Sequence, residues 1–136
     1  MSDIRKHAVD ETGVVELLDA NDEPLIGDDG QRMTITVYGP GSKTFARAQA
    51  AQGNRMLDRL KRKGKSDLSA DERAKEQAEH LAAVTKEFSA NIEYDGLTGG
   101  ALHVAVYSDV SIGFIAEQVA KHLSDWGNFH KGSQKP

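Results

Sequence analysis

The stretch Ser111 to Phe129, SIGFIAEQVAKHLSDWGNF, restricts this chain more than any other. Ile112, Ile115, Ala116, Val119, Leu123 and Trp126 recur at three- and four-residue spacing. On a helix of 3.6 residues per turn they line up as one apolar stripe, with Gln118, Lys121, His122 and Asp125 mostly on the other side. The spacing predicts a helix over 111–126, capped by Ser108, Asp109 or Ser111 and closed by Gly127. Such a stripe is a core face. Its aromatic end, with the chain's only Trp, equally suits a partner, because aromatics anchor interfaces.

Earlier in the chain the punctuation is clear. Val14, Val15, Leu17 and Leu18 form a short strand-like run, followed by the turn chemistry of Asp19 to Pro24 and of Asp28-Asp29-Gly30. Met33 to Tyr38 alternates Met33, Ile35 and Val37 with Thr34, Thr36 and Tyr38, which makes it the best strand in the chain. Residues 14–38 read as two antiparallel strands joined by an irregular loop. Gly39-Pro40-Gly41 ends the second strand, and Ser42 caps a helix expected over 43–63, stopped by Gly64. Phe45, Ala48, Gln52, Met56 and Leu60 share one of its faces. Gly53 sits in its middle, where it costs about 1 kcal/mol relative to Ala, so a kink, a close helix contact or a hinge is expected there.

Ser69-Ala70-Asp71-Glu72 is a capping box that starts a second helix, expected over 70–89. Its apolar line is Ala74, Ala78, Leu81, Val84 and Phe88, continuing to Ile92. Asp95-Gly96 and Gly99-Gly100 mark turns. Leu102, Val104 and Val106 then alternate with His103, Ala105 and Tyr107, as a third strand or a short irregular connector. The expected fold class is mainly α: about three helices with a small N-terminal β-hairpin. Residues 1–12 are expected to be a flexible N-terminus, 13–129 a single domain, and 130–136 a disordered tail.

With 136 residues and 38% apolar content the chain fits one domain with a modest core. It has no Cys, hence no disulfide framework and no thiolate metal site. No apolar run approaches the length of a membrane span, and no charged start leads into an apolar signal segment. Neither a span nor a secretory signal is expected. Charge is strongly segregated. Residues 1–30 hold nine acids against two bases, a net of −7, whereas residues 43–65 hold eight bases against one acid, a net of +7. Opposite poles of this kind set docking orientation and rate more than affinity, and they suggest head-to-tail self-association into a homo-oligomer.

Searching for chemistry gives little. The five histidines are scattered, without metal-ligand spacing. The acidic turns lack the alternating ligands and closing Glu of a calcium loop. Nothing in the sequence around their paired carboxylates would form an apolar pocket to raise a pKa. Gly39-Pro40-Gly41-Ser42-Lys43-Thr44 resembles a phosphate-binding loop in order only. Thr36 stands where the first glycine belongs, and Lys43 follows Ser rather than Gly. No catalytic residue, metal ligand or cofactor site is expected. The basic segment 55–65 would suit phosphate contacts, but it has no aromatic residue for stacking. Cations near a helix C-terminus are also favoured by the helix dipole alone.

Phe114-Ile115-Ala116-Glu117-Gln118-Val119, followed by Asn128-Phe129, is similar to the terminal W-I-x-x-Q-V helix and "NF" segment of the tail assembly chaperones of long-tailed, lambda-like bacteriophages. The start resembles that family too. An acidic strand and turn, Val14 to Leu25, leads to Met33-Thr34-Ile35-Thr36-Val37-Tyr38-Gly39, then a Gly/Pro/Ser turn and a helix with an aromatic, Phe45, near its beginning. A basic helix end and an Asp/Glu/Ala-rich helix follow, so the resemblance runs over roughly residues 14–129 as an order of elements. Phe114 departs from the family's usual Trp, and Leu97 to Tyr107 is more β-like and Gly-rich than the family pattern.

The resemblance implies a non-enzymatic protein that binds the helical, apolar tape measure protein, keeps it soluble and recruits tail tube protein around it. It also implies a frameshifted longer form of the chain, with residues 131–136 at the place where an extension would join. Action in the host bacterial cytoplasm and absence from the mature virion follow from the same likeness. Arg59, Arg62, Phe114, Trp126 and Phe129 are the residues expected at client or self contacts. Two other classes remain open: a small nucleic-acid-binding regulator using the basic helix 55–65, and a virion structural head–tail component.

Overall fold

Residues 3–63 and 69–130 are described by the computed structural model. The expected helix stop at Gly64 and the expected tail at 131–136 lie outside them. Strands β1 (Thr12–Glu16) and β2 (Thr34–Tyr38) pair antiparallel, with Val15 opposite Ile35 and Gly13 opposite Val37. Gly13, Val15, Ile35 and Val37 are buried, while Val14, Thr34 and Thr36 between them are only half-buried. The period of two thus turns one face inward. The connection is ordered in two tight turns. Asp19 Oδ1 accepts from the N–H groups of Asn21 and Glu23, and Asp29 Oδ1 accepts from that of Gln31. Leu25 N–H donates to Leu17 O at 3.0 Å and Met33 N–H to Leu25 O at 2.9 Å, so residues 24–26 form the middle of three short extended segments.

Ser42 opens helix α1 (Lys43–Lys63). Its Oγ accepts from Phe45 N–H at 3.1 Å and donates to Gly39 O at 2.7 Å. The Ser69/Glu72 capping box opens helix α2 (Ala70–Ala83). From there the chain departs from the mainly-α expectation. The second helix ends at Ala83 instead of 89, and Thr85–Phe88 becomes strand β3, pairing antiparallel with β2 in a three-stranded sheet of order β1-β2-β3. Tyr38 N–H donates to Val84 O and Ser89 N–H to Thr34 O, which satisfies the outer edge of β2. The pairing skips Lys86: Glu87 lies opposite Thr36 and Thr85 opposite Val37. That extra residue is a bulge, and it brings Thr85 and Phe88 inward at a spacing of three, the spacing of a helix face.

Leu97 to Tyr107, expected as strand or connector, is entered by a turn with Asp95 and Gly96 both at positive φ and forms helix α3 (Gly99–Ser108). Leu102, His103, Val106 and Tyr107 are its buried residues, a helical set that overrides the apparent alternation. Asp109 then accepts from Ser111 N–H and caps a single 3₁₀ turn, Val110–Ile112. Helix α4 (Gly113–Leu123) is shorter than the 111–126 expected, because the chain leaves it for another 3₁₀ turn, Trp126–Phe129. The fold is therefore α+β, with four α-helices and a three-stranded antiparallel sheet among the described residues, not three helices and a hairpin. Val15, Leu17, Ile35 and Val37 of the sheet region meet Ala78, Leu81, Tyr107, Val119, Leu123 and Phe129 in one core. No single helix among the described residues is long and apolar enough to cross a membrane.

Candidate protein-interaction surfaces

Two groups of candidate residues occupy separate places. On α1, Arg59 Nη1 donates to Glu76 Oε1 at 2.6 Å, and Arg55 Nε lies 3.5 Å from the same oxygen. Arg59 keeps only 17% of its side chain exposed. One carboxylate of α2 thus holds two guanidinium groups of the basic helix, leaving both less able to meet a nucleic acid or a partner. Arg62 is exposed on the wall of an open groove between α1 and α2 that also includes Asp58, Lys75 and Glu79.

The C-terminal group is divided by burial. Phe129 is fully buried, edge-on to His122 with ring centroids 5.3 Å apart, and its backbone O accepts from Asp10 N–H at 2.7 Å. Trp126, three residues earlier, is 57% exposed. The separation follows from the 3₁₀ turn. Asp125 Oδ1 accepts from Gly127 N–H, and the Asn128 amide donates to His122 O, which locks one ring inward and leaves the other out. Phe114 is half-buried on α4. The two groups belong to different elements, α1 on one hand and α4 with the turn after it on the other.

Gln118 has a structural task that its place in the sequence did not reveal. Its Oε1 accepts from Leu18 N–H at 2.8 Å and its Nε2 donates to Leu18 O at 2.7 Å, so the amide pairs with the chain just past β1 as a neighbouring strand would. Between α1, α2 and α4 lies an open notch of about 220 Å³, lined by Phe45, His80, Leu81, Ala120 and Leu123. Burial lowers the pKa of His80, aided by the charge of Arg55, and burial also lowers those of His103 and His122. Among the described residues no group of three or more His, Asp or Glu is gathered to hold a metal ion.

Sequence reasoning missed one surface. Met56 and Leu60 were expected on one face of α1 with Phe45 and Ala48, yet Ala48 alone is buried among the described residues of this helix, and Met56, Leu57 and Leu60 are exposed. Arg55 and Arg59 take the face of α1 that meets Glu76 of α2, so Met56, Leu57 and Leu60 fall outside that contact. Comparison with protein-family models, with curated proteins and with solved structures found no match.

Proposed function

We propose that this chain is a non-enzymatic chaperone of bacteriophage tail assembly. It holds the tape measure protein through weak apolar contacts and passes it to tail tube protein, acting with further copies of itself and with a frameshifted longer form. The work is done in the host bacterial cytoplasm, and the finished virion does not retain it. The family likeness of Phe114 to Val119 and Asn128-Phe129 names the client. The observation that carries a binding role is Trp126, exposed beside a buried Phe129. A large aromatic held outside on a rigid turn is a ready interface anchor, since truncating such residues commonly removes most of a contact's energy.

The test uses the same residue. Trp126 is the chain's only Trp, so with a client segment that lacks Trp its fluorescence reports on this surface alone. Added tape measure protein shifts the emission to the blue, and Trp126→Ala weakens capture about tenfold or more. An unshifted spectrum at saturating client, or abundant copies of the chain in purified virions by mass spectrometry, overturns the proposal.

A further inference from the structure

We infer that copies of this chain join head to tail, with the acidic tip around Ile26 of one copy seated on the apolar stripe of α1 in the next. The inference rests on the self-associating part of the reading above and names its two surfaces. Gly53, Met56, Leu57 and Leu60 follow the i, i+3, i+4, i+7 spacing of one helix face. The three large side chains are 47%, 54% and 43% exposed. Gly53 has no reason to be glycine inside the subunit, because a Cβ there would meet nothing within 4 Å. Its φ is not left-handed either. A missing side chain does, however, leave a flat saddle where another backbone can approach closely. Lys61, exposed, stands on the flank of this face, and Arg47, also exposed, precedes it on the same helix.

The tip has the opposite chemistry. Residues 17–33 hold five acids and one base, Arg32, which is paired to Glu16 at 2.7 Å. Ile26 is 51% exposed on the middle segment, with Glu23 and Asp28 exposed on either side of it in the chain. Among the described residues no ion pair joins an acid of 3–30 to a base of 43–62. Glu23, Asp28, Arg47 and Lys61 are in none of these pairs and remain open toward another copy. An apolar knob between acids, offered to an apolar stripe on a basic helix, matches in both respects. Charge steers the approach and sets the orientation, and apolar burial supplies the affinity. A knob of this size buries less than the roughly 800 Å² per partner of a standard stable interface, so the contact is weak and reversible. Tip and stripe are different surfaces, which makes the contact heterologous and lets each copy bind two neighbours.

The chain's lack of Cys gives a direct test. Full-length Ile26→Cys and Leu57→Cys proteins, fully reduced, are treated with diamide as oxidant, each alone and as an equimolar mixture. The mixture is expected to yield a cross-linked dimer, while each protein alone stays largely uncross-linked. Glu23→Lys/Asp28→Lys and Arg47→Glu/Lys61→Glu change only exposed side chains. Each weakens sedimentation-detected association about tenfold or more, and mixing the two variants restores it. Efficient cross-linking of either single-Cys protein with itself overturns the inference, as does a salt-independent monomer at every concentration. Trp126 fluorescence with the client, read on the same samples, keeps the two proposals apart. A monomer that still responds to client sinks only the tip-to-stripe contact, and an oligomer that ignores the client sinks only the chaperone reading.

Discussion

A Cβ at Gly39 would run into the Phe129 ring, and one at Gly13 would lie 2.6 Å from it. The ring thus rests against two stretches of bare backbone, and both glycines are required by its thickness. Phe129→Ala is expected to cost about 3–5 kcal/mol through the cavity it leaves. Gly39→Ala costs about 1–3 kcal/mol by overpacking. Urea midpoints measure both, and the double variant should be more stable than the sum of the singles, because the new methyl enters the space the ring vacates. Histidines add a pH dependence. His80, His103 and His122 all have pKa values lowered from the ordinary 6.5, chiefly by burial. Their neutral forms are favoured in the folded state, so their contribution is complete above pH 6.5 and declines as pH falls through that value toward the folded pKa. Urea midpoints at pH 7.5, 6 and 5 should fall in that order. His103→Gln, which removes one titration beside the Phe88 ring, should make the decline shallower.

At the scale of elements, legibility followed local chemistry. Ser42, the Ser69/Glu72 box and the acidic turns were readable because each satisfies its backbone within four residues. What was not readable was settled by distant partners. Residues 85–88 carry helix-like spacing only because a bulge imitates it, and their strand state depends on the open edge of β2, some fifty residues away. Helix α3 carries β-branched residues and two leading glycines, and it folds as a helix because Leu102, Val106 and Tyr107 are buried on one face. Gln118 belongs to the same class, since its partner Leu18 stands 100 residues earlier. Gln118→Glu keeps the acceptor but turns a charge toward Leu18 O in place of a donor. Its expected cost is about 1–3 kcal/mol by chemical denaturation. Gly53→Ala should do the opposite in the isolated subunit, raising stability by about 1 kcal/mol.

For the whole molecule, the candidate surfaces were half legible. The charge poles are visible in the sequence, but which bases remain available is not, because Glu76 takes Arg55 and Arg59 from the far side of a helix pair. Reversing Arg59 therefore disturbs the subunit before it reports on any partner, whereas Arg62 remains exposed. Glu76→Gln should release the outer half of α1. Hydrogen exchange of amides 55–62 should then speed up while β2 keeps its protection. Likewise Trp126 and Phe129 look alike in a sequence, and only the turn between them sorts one inside from one outside. That turn has a mechanical consequence. Asp10 N–H grips Phe129 O, and the ring beneath covers Gly13 and Gly39, so the early and late parts of the chain are fastened by one clasp. Tension applied at residues 3 and 130 in an optical trap loads that clasp before it reaches the sheet, and the first rupture under force is the peeling of Phe129 from β1.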